Sequence, residues 1–299
     1  MNPLYQELHE RIANEVQFLP DKPEETPEST LKALWLTAAG IPVSAERALQ
    51  TQLPDPDPAR EATLRAFVDR RIAGIPLAHI TGRQQFVGME MLAGPGALVP
   101  RKETEILARV AIGLANDLAG ERGNIRVIDV CTGSGNVALA IAHHVPQSHV
   151  YAADLSEDAV ALARENANHL KLQSRTEFAA GDLLAPFDKP ELHGTIDLLT
   201  CNPPYISSGK VDHMHQEIAA HEPHLAFDGG PFGVNILMRL LQDAPRFLNH
   251  NGWLAFEVGL GQGKAMNARL TKTQGCKEVR PLLDEQGAIR ALAGRFERG

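Results

Sequence analysis

The chain has 299 residues, 43% of them apolar and 22% charged, enough for two ordinary domains or one large domain with an appendage, and too apolar to be mainly disordered or collagen-like. Lys and Arg number 29 against 37 Asp and Glu, a formal net charge of −8, so the molecule as a whole lacks the basic footprint that dominates nucleic-acid affinity, while a local basic groove stays open. Cys131, Cys201 and Cys276 lie far apart with no Cys-x-x-Cys pair, which argues against a disulfide framework or structural zinc and for a reducing, cytoplasmic setting. MNPLYQELHERIANEV carries charges throughout, and no uncharged apolar run reaches about 18 residues, so neither a signal peptide nor a membrane span is expected.

Leu4, Leu8, Ile12 and Val16 recur every four residues and predict a helix with one apolar stripe. The acidic, proline-rich stretch 20–29 is read as a break. TLKALWLTAA at 30–39 predicts a second helix closed by Gly40, and Ser44 with Glu46 opens a third. A fourth runs from about Pro58, with Leu64, Phe67, Val68 and Ile72 on one side and Gly74 at its end. Residues 1–82 thus read as a helical domain. In 84–100, QQFVGMEMLAGPGALVP, apolar stretches flank Gly94-Pro95-Gly96, as expected for a β-hairpin turning there. Residues 83–101 are then a connector.

From Glu103 a helix keeps Ile106, Val110, Leu114 and Leu118 in register up to Gly120. Strands are predicted at Ile125–Val130, His149–Ala153, Arg175–Ala180, Ile196–Cys201 and Gly252–Val258, most of them separated by helical patterns. That alternation implies parallel pairing through right-handed crossovers, so residues 102–299 are expected to form an open, doubly wound, Rossmann-like α/β sheet. Two strand-like runs about Asp284–Gly287 predict an antiparallel C-terminal hairpin on the sheet edge.

Two motifs carry chemistry. In VIDVCTGSGNVALAIA, residues 127–142, strand passes to helix through Thr132, Gly133, Ser134 and Gly135, where a sharp turn and close approach of a ligand leave no room for a Cβ. Asp154 follows at the end of the next strand, where a carboxylate can accept from two ribose hydroxyls. Gly133-x-Gly135-x-x-Ala138 also satisfies the dinucleotide pattern, so nucleoside binding is indicated while nicotinamide and S-adenosylmethionine both remain open. The second motif is Asn202-Pro203-Pro204-Tyr205 at the end of the fourth strand. Two prolines stiffen the backbone and remove two donors. The Asn202 side-chain oxygen and the Pro203 carbonyl can together hold both N–H groups of a planar NH2, with the Tyr205 ring against its flat face.

DVCTGSG, Asp154, GDLL at 181–184 and NPPYI resemble the HemK-type glutamine-N5 methyltransferases of the class I S-adenosylmethionine fold. Pro100-Arg101-Lys102-Glu103-Thr104-Glu105, GIPLAHITGRQQFVGMEM, HEPHLAFDGGPFG and FEVGLGQ are similar to that family as well. The resemblance implies methyl transfer from S-adenosyl-L-methionine, with S-adenosyl-L-homocysteine as product, to the glutamine of the Gly-Gly-Gln loop of peptide chain release factors. It also implies that the helical domain contacts the factor. Thr132, Gly133, Ser134 and Gly135 would hold the methionine end of the cofactor, Asp154 the ribose with Leu155 beside it, and Asp182 and Leu183 the adenine. Asn202 to Tyr205 would hold the glutamine, Asn202 bordering the cofactor too. Cys131 stands where release-factor enzymes usually have Gly and resembles the sibling branch acting on a large-subunit ribosomal protein. Lys102, Gln85 and Phe232 also depart from the usual Pro, Glu and Asp, while Glu103-Thr104-Glu105 favours the release-factor branch.

An adenine-N6 nucleic-acid methyltransferase is the rival, because Asn-Pro-Pro-Tyr suits an adenine amino group equally well. Net −8 counts against a phosphate backbone as partner. His213, His215, His221 and His224 with Glu217 and Glu222 match no metal-ligand spacing, so no metal is expected. His143-His144 at a helix end fits the dipole, and Arg101 with Glu103 and Glu105 orders a helix start. Trp35 and Trp253 read as core or interface, Cys131 and Cys201 as packing residues, and Glu257 as a strand-end carboxylate that either borders the cofactor crevice or, as is more usual for such a position, is solvated.

Overall fold

The computed structural model of the protein describes residues 2–55, 57–206, 221–223, 227 and 233–298. The first four helices each start on a side-chain cap. Asn2 accepts from the Leu4 amide to open α1 (Pro3–Glu15), and Thr26 and Ser29 cap each other reciprocally at the start of α2 (Pro27–Ala38). The stretch read as a break therefore contains a helix start, with Pro27 in the first turn where its missing N–H costs nothing. Ser44 caps α3 (Ala45–Gln50) and Asp57 caps α4 (Pro58–Ile72). A further short helix, α5 (Leu77–Thr81), ends at Gly82 with φ +69; five residues are too few for a periodic signal. Leu8, Ile12, Leu31, Leu34, Trp35, Leu64, Val68 and Leu77 form the cluster's own apolar core, beside a buried Arg71–Glu25 ion pair at 2.9 Å.

The hairpin is β1 (Arg83–Phe86) and β2 (Met89–Leu92), and Phe86 pairs with Met89. Its turn is Val87-Gly88, both at positive φ, and not Gly94-Pro95-Gly96. A β-branched residue at positive φ is the rarer choice, which is why the glycine-proline cluster is the stronger signal. That cluster instead runs over the start of a sheet helix: a Cβ on Gly96 would lie 3.2 Å from the Asp158 carbonyl.

The sheet comprises β3 (Ile125–Val130), β4 (Ser148–Asp154), β5 (Thr176–Ala180), β6 (Ile196–Cys201), β7 (Leu248–Glu257), β8 (Cys276–Leu283) and β9 (Ile289–Phe296), in the order β5-β4-β3-β6-β7-β9-β8. The first five are parallel, and β9 enters antiparallel between β7 and β8. This is the expected Rossmann-like sheet with its antiparallel terminal hairpin. Helices α6 (Thr104–Arg122), α7 (Asn136–His144) and α8 (Glu157–His169) cover one face, α9 (Asn235–Phe247) and α10 (Gly263–Thr271) the other. α6 overruns Gly120 and stops at Gly123, where φ is +78. It buries Leu107, Ala108, Ala111, Leu114 and Leu118, whereas Val110 is half-buried, so the buried stripe sits one residue round from the predicted one. Chain direction across the sheet reverses between β3 and β6, and at such a switch point the loops leaving two neighbouring strands open a crevice.

Candidate active site

The loop after β3 is held from below. Asp129, buried at the end of that strand, accepts from the Thr132 hydroxyl at 2.6 Å and, across the sheet, from the Thr200 hydroxyl of β6 at 2.7 Å. Burial pushes its carboxyl up to about 6 against the pull of these bonds. Cys131 takes φ +56 and Gly133 φ +54, a conformation free for glycine and strained for a residue with a Cβ. A Cβ on Gly133 would meet nothing within 4 Å, so its open side is the crevice. Gly135, at φ +82, lies behind the wall, where a Cβ would press on Leu139 Cδ1 at 3.1 Å, Ala163 Cβ at 3.2 Å and Phe178 Cε1 at 3.3 Å.

Asp154 closes the loop from the β4 side. Its Oδ2 accepts from the Gly133 amide at 2.8 Å and its Oδ1 from the Ser156 amide at 3.0 Å, which leaves each oxygen a lone pair for a further donor. Burial raises its pKa. Asn166 of α8 ties the loop to the connector, donating to the carbonyls of Ser134 and Leu92, both at 3.1 Å, and accepting from the Leu92 amide at 2.7 Å.

Asn202-Pro203-Pro204-Tyr205 leaves β6 beside this loop. Asn202 Nδ2 donates to Thr104 Oγ1 at 3.1 Å, while Asn202 Oδ1 is buried and, among the described residues, has no hydrogen-bond partner. Gln262, in the loop after β7, clamps the segment: its amide NH2 donates to the carbonyls of Tyr205 at 3.0 Å and Gly233 at 3.2 Å, and its oxygen accepts from the Gly259 amide at 2.9 Å. Gly233 and Gly259 permit this approach, since a Cβ on Gly233 would clash with the Tyr205 carbonyl and one on Gly259 would lie 2.9 Å from the Tyr205 ring. The Tyr205 hydroxyl is driven upward in pKa by burial and by the neighbouring Glu257.

Glu257 is the site's largest departure from expectation. It is 1% exposed, not solvated, because β7 is an inner strand and Thr104 and Tyr205 pack near its end. Neither carboxylate oxygen has, among the described residues, a partner of good hydrogen-bond geometry, although the Thr104 and Tyr205 hydroxyls face it closely enough to favour its anion. Burial prevails and lifts its pKa to about 7.

Two adjoining cavities result. One, of about 230 Å³, is lined by Thr132, Gly133, Ser134, Asp154, Leu155, Asp182, Leu183, Asn202 and Pro204 among the predicted residues, with Cys131, Thr104 and Arg101. The other, of about 130 Å³, is lined by Asn202, Pro203 and Tyr205 with Asp21, Arg101, Glu103 and Thr104. Asn202, Thr104 and Arg101 stand where the two meet. Leu155 is 57% exposed, Leu183 is buried at φ +50, and Asp182 pairs with Arg239 of α9 at 2.6 Å. Gly135 alone of the predicted set lines neither cavity.

Thr104, Gln262 and the buried state of Glu257 escape sequence reading, since each acts through contacts distant in the chain. Lys102 bridges Glu46 of α3 and Glu105, the latter at 3.0 Å, so it links the helical cluster to the start of α6. Glu222 pairs with buried Arg101 at 2.6 Å and accepts from the Val99 amide at 3.1 Å. His213, His215, Glu217, His224 and Phe232 lie outside the described residues. Trp35 and Trp253 are buried, and the His144 ring meets the Val87 carbonyl at the hairpin tip at 3.2 Å. Among the described residues, no helix is long and apolar enough to cross a membrane.

Comparison with known proteins places these features in a family context. Residues 113–232 match the family described as Methyltransferase small domain. The chain is 36% identical over 241 residues to a release factor glutamine methyltransferase of Moorella thermoacetica, spanning 80% of this chain and 82% of that protein. It is 35% identical over 266 residues to the protein of the same name from Streptomyces coelicolor, spanning 88% and 89%. The solved N-terminal domain of human METTL16 in complex with SAH shares the fold, with a TM-score of 0.53 at 16% identity over 95% of this chain and 99% of that one.

Proposed function

The chain belongs to the release factor glutamine methyltransferase family, and from that premise we propose that it transfers the methyl group of S-adenosyl-L-methionine to the side-chain amide N5 of a release-factor glutamine, leaving S-adenosyl-L-homocysteine. The observation that carries the site assignment is Asn202, which lines both cavities: its Nδ2 is held by Thr104, and its Oδ1 is buried without a hydrogen-bond partner among the described residues. An orphaned buried acceptor is costly unless a ligand completes it.

The residues of the larger cavity fit the cofactor. The open side of Gly133 and the Ser134 Oγ, which has no partner among the described residues, suit the methionine end, the spare lone pairs of Asp154 suit two ribose hydroxyls, and Leu155 and Leu183 offer apolar walls for adenine beside Asp182. When bound, S-adenosylmethionine supplies a methyl on a sulfonium, an electrophile that needs no further activation.

The chain's residues then have one task, which is to present an unreactive amide. Asn202 Oδ1 and the Pro203 carbonyl accept the two N–H groups and aim the nitrogen along the line of transfer; orientation of this kind supplies up to roughly 7–11 kcal/mol of a bimolecular barrier. As the nitrogen takes the methyl it becomes positive and its N–H groups more acidic, so both bonds strengthen toward the transition state. Tyr205 excludes water from the flat face, and one proton leaves to solvent after transfer. Residues 1–82 serve as the recognition unit, 83–101 as connector and 102–299 as the catalytic unit. The net charge of −8 complements a basic protein surface better than a phosphate backbone.

The test is labelled methyl transfer to purified release factor, ribosomal protein and DNA side by side, with Asn202→Ala in parallel. Label on the release factor, lost in the variant while calorimetry still finds cofactor binding, is the expected outcome. Label on DNA alone, or an unchanged rate in Asn202→Ala, overturns the reading.

A further inference from the structure

A carboxamide has nearly the same shape in its two flipped orientations, so packing does not decide which end faces the substrate. If Asn202 presented Nδ2 to the target nitrogen, donor would face donor and nothing would be held. The required orientation needs an acceptor behind Nδ2, and Thr104 Oγ1 stands there at 3.1 Å. A hydroxyl is ambivalent, however, and could equally turn its hydrogen toward the amide oxygen and stabilise the wrong flip. Something must take that hydrogen.

The register of the sheet supplies it. Cys201 of β6 pairs with Phe256 of β7, so Asn202 and Glu257 leave neighbouring parallel strands at the same level. Cys201 and Phe256 point into the core under α9 and α10, and alternation therefore sends the next pair toward the face covered by α6, whose first residue is Thr104. Thr104 is 2% and Glu257 1% exposed, so water does not compete for either group. Neither carboxylate oxygen has a hydrogen-bond partner among the described residues, and the Thr104 hydroxyl lies close enough to favour its anion. We infer that Thr104 and Glu257 are positioning residues: the Glu257 anion takes the Thr104 hydroxyl hydrogen, which makes Thr104 an obligate acceptor toward Asn202 and locks Asn202 Oδ1 toward the target amide.

The inference rests on the reading of Asn202 as the amide holder. It has a consequence that a purely structural role lacks. Once protonated, Glu257 donates instead of accepting, Thr104 can reverse, and the lock opens. The other charged or titratable groups facing Glu257 are Glu103 at the head of α6, Arg290 on β9 and the Tyr205 hydroxyl. Glu103 and Arg290 act on it in opposite directions, burial raises Glu103 as well, and Tyr205 stays protonated through neutral pH, so the Glu257→Gln variant is what assigns the acid limb to Glu257.

The experiment measures labelled methyl transfer to purified release factor as a function of pH for wild type, Thr104→Val, Thr104→Ser and Glu257→Gln, with cofactor affinity by calorimetry. Valine keeps the shape and removes the hydroxyl; serine keeps the hydroxyl. Thr104→Val is expected to lower kcat roughly tenfold, the scale of one lost hydrogen bond, with cofactor Kd and release-factor KM within about twofold, while Thr104→Ser retains most activity. Wild-type kcat falls as the pH drops through about 7, and Glu257→Gln flattens that acid limb at a lower plateau. Equal rates for the valine and serine variants, or an unaltered acid limb in Glu257→Gln, overturn the inference. The Thr104 pair decides it even if Glu257→Gln fails to fold. Absence of label from the wild type, with cofactor binding intact, marks failure of the functional reading instead and removes the inference with it.

Discussion

Glu257 should leave a thermodynamic signature independent of catalysis. Folding moves its carboxyl from the ordinary 4.5 up to about 7, chiefly by burial. A group whose folded pKa is raised contributes stability that is present below its unfolded pKa and lost as pH rises through the folded value. At about 1.4 kcal/mol per pH unit, the native state loses about 3 kcal/mol, most of it between about pH 5 and pH 8. Asp129, raised to about 6 by the same cause, adds a loss of the same sign, so the absolute profile mixes the two. Comparing wild type with Glu257→Gln isolates one of them. The assay is chemical denaturation across that range in a Trp35→Phe background, which leaves Trp253 of β7 as the single indole and reports on the sheet. The variant is expected to gain on the wild type steadily as the pH rises, reaching about 3 kcal/mol relative to its own value in acid. Parallel profiles for the two proteins would refute the claim that Glu257 is buried with its anion disfavoured.

Two further outcomes follow from the glycine loop. Asp154→Asn keeps the size of the side chain and removes the charge that would meet two ribose hydroxyls; charge-assisted bonds are worth about 1.5–3 kcal/mol each, so calorimetry should show cofactor Kd rising at least about tenfold, and an unchanged Kd would remove Asp154 from the ribose. Gly135→Ala places a Cβ at φ +82 within 3.1–3.3 Å of Leu139, Ala163 and Phe178, which combines left-handed strain with overpacking and should cost about 2–4 kcal/mol in denaturation; a loss below about 1 kcal/mol would show that α7 and α8 move apart readily.

The parts of the site legible in the sequence are those whose chemistry is local. Thr132 to Gly135, Asp154 and Asn202 to Tyr205 each sit where a strand ends, and composition alone marks the turn, the acid and the rigid acceptor segment. What escaped is what the sheet assembles from a distance. Glu257 looks like an ordinary strand-end carboxylate until the pairing of Cys201 with Phe256 sets it beside Asn202, and Thr104 looks like a helix-start residue until α6 lies across β6 and β7. Gln262 follows a glycine-rich loop without a pattern of its own, yet its side chain bonds to the backbone of Tyr205, Gly233 and Gly259. The hairpin fails for the opposite reason: Gly94-Pro95-Gly96 has stronger turn chemistry than Val87-Gly88, but the alternating burial of residues 83–86 and 89–92 against the sheet domain fixes the register and overrides it.

Methyl transfer in line tolerates little error in the distance between donor and acceptor, so cofactor and amide must be positioned by one rigid body. On the proposed reading the two motifs would meet this demand, since they leave adjacent strands and share a buried foundation. Through Asp129, the hydroxyl of Thr132 in the glycine loop and that of Thr200, two residues before Asn202, bond to opposite oxygens of one carboxylate. Asn202 is then fixed from a third direction by Thr104, and Tyr205 from a fourth by Gln262. The same foundation explains why two carboxylates are buried here at a cost in stability. Replacing either with an apolar residue would relieve the desolvation and would also release the groups that hold the glycine loop and the acceptor amide in register with each other.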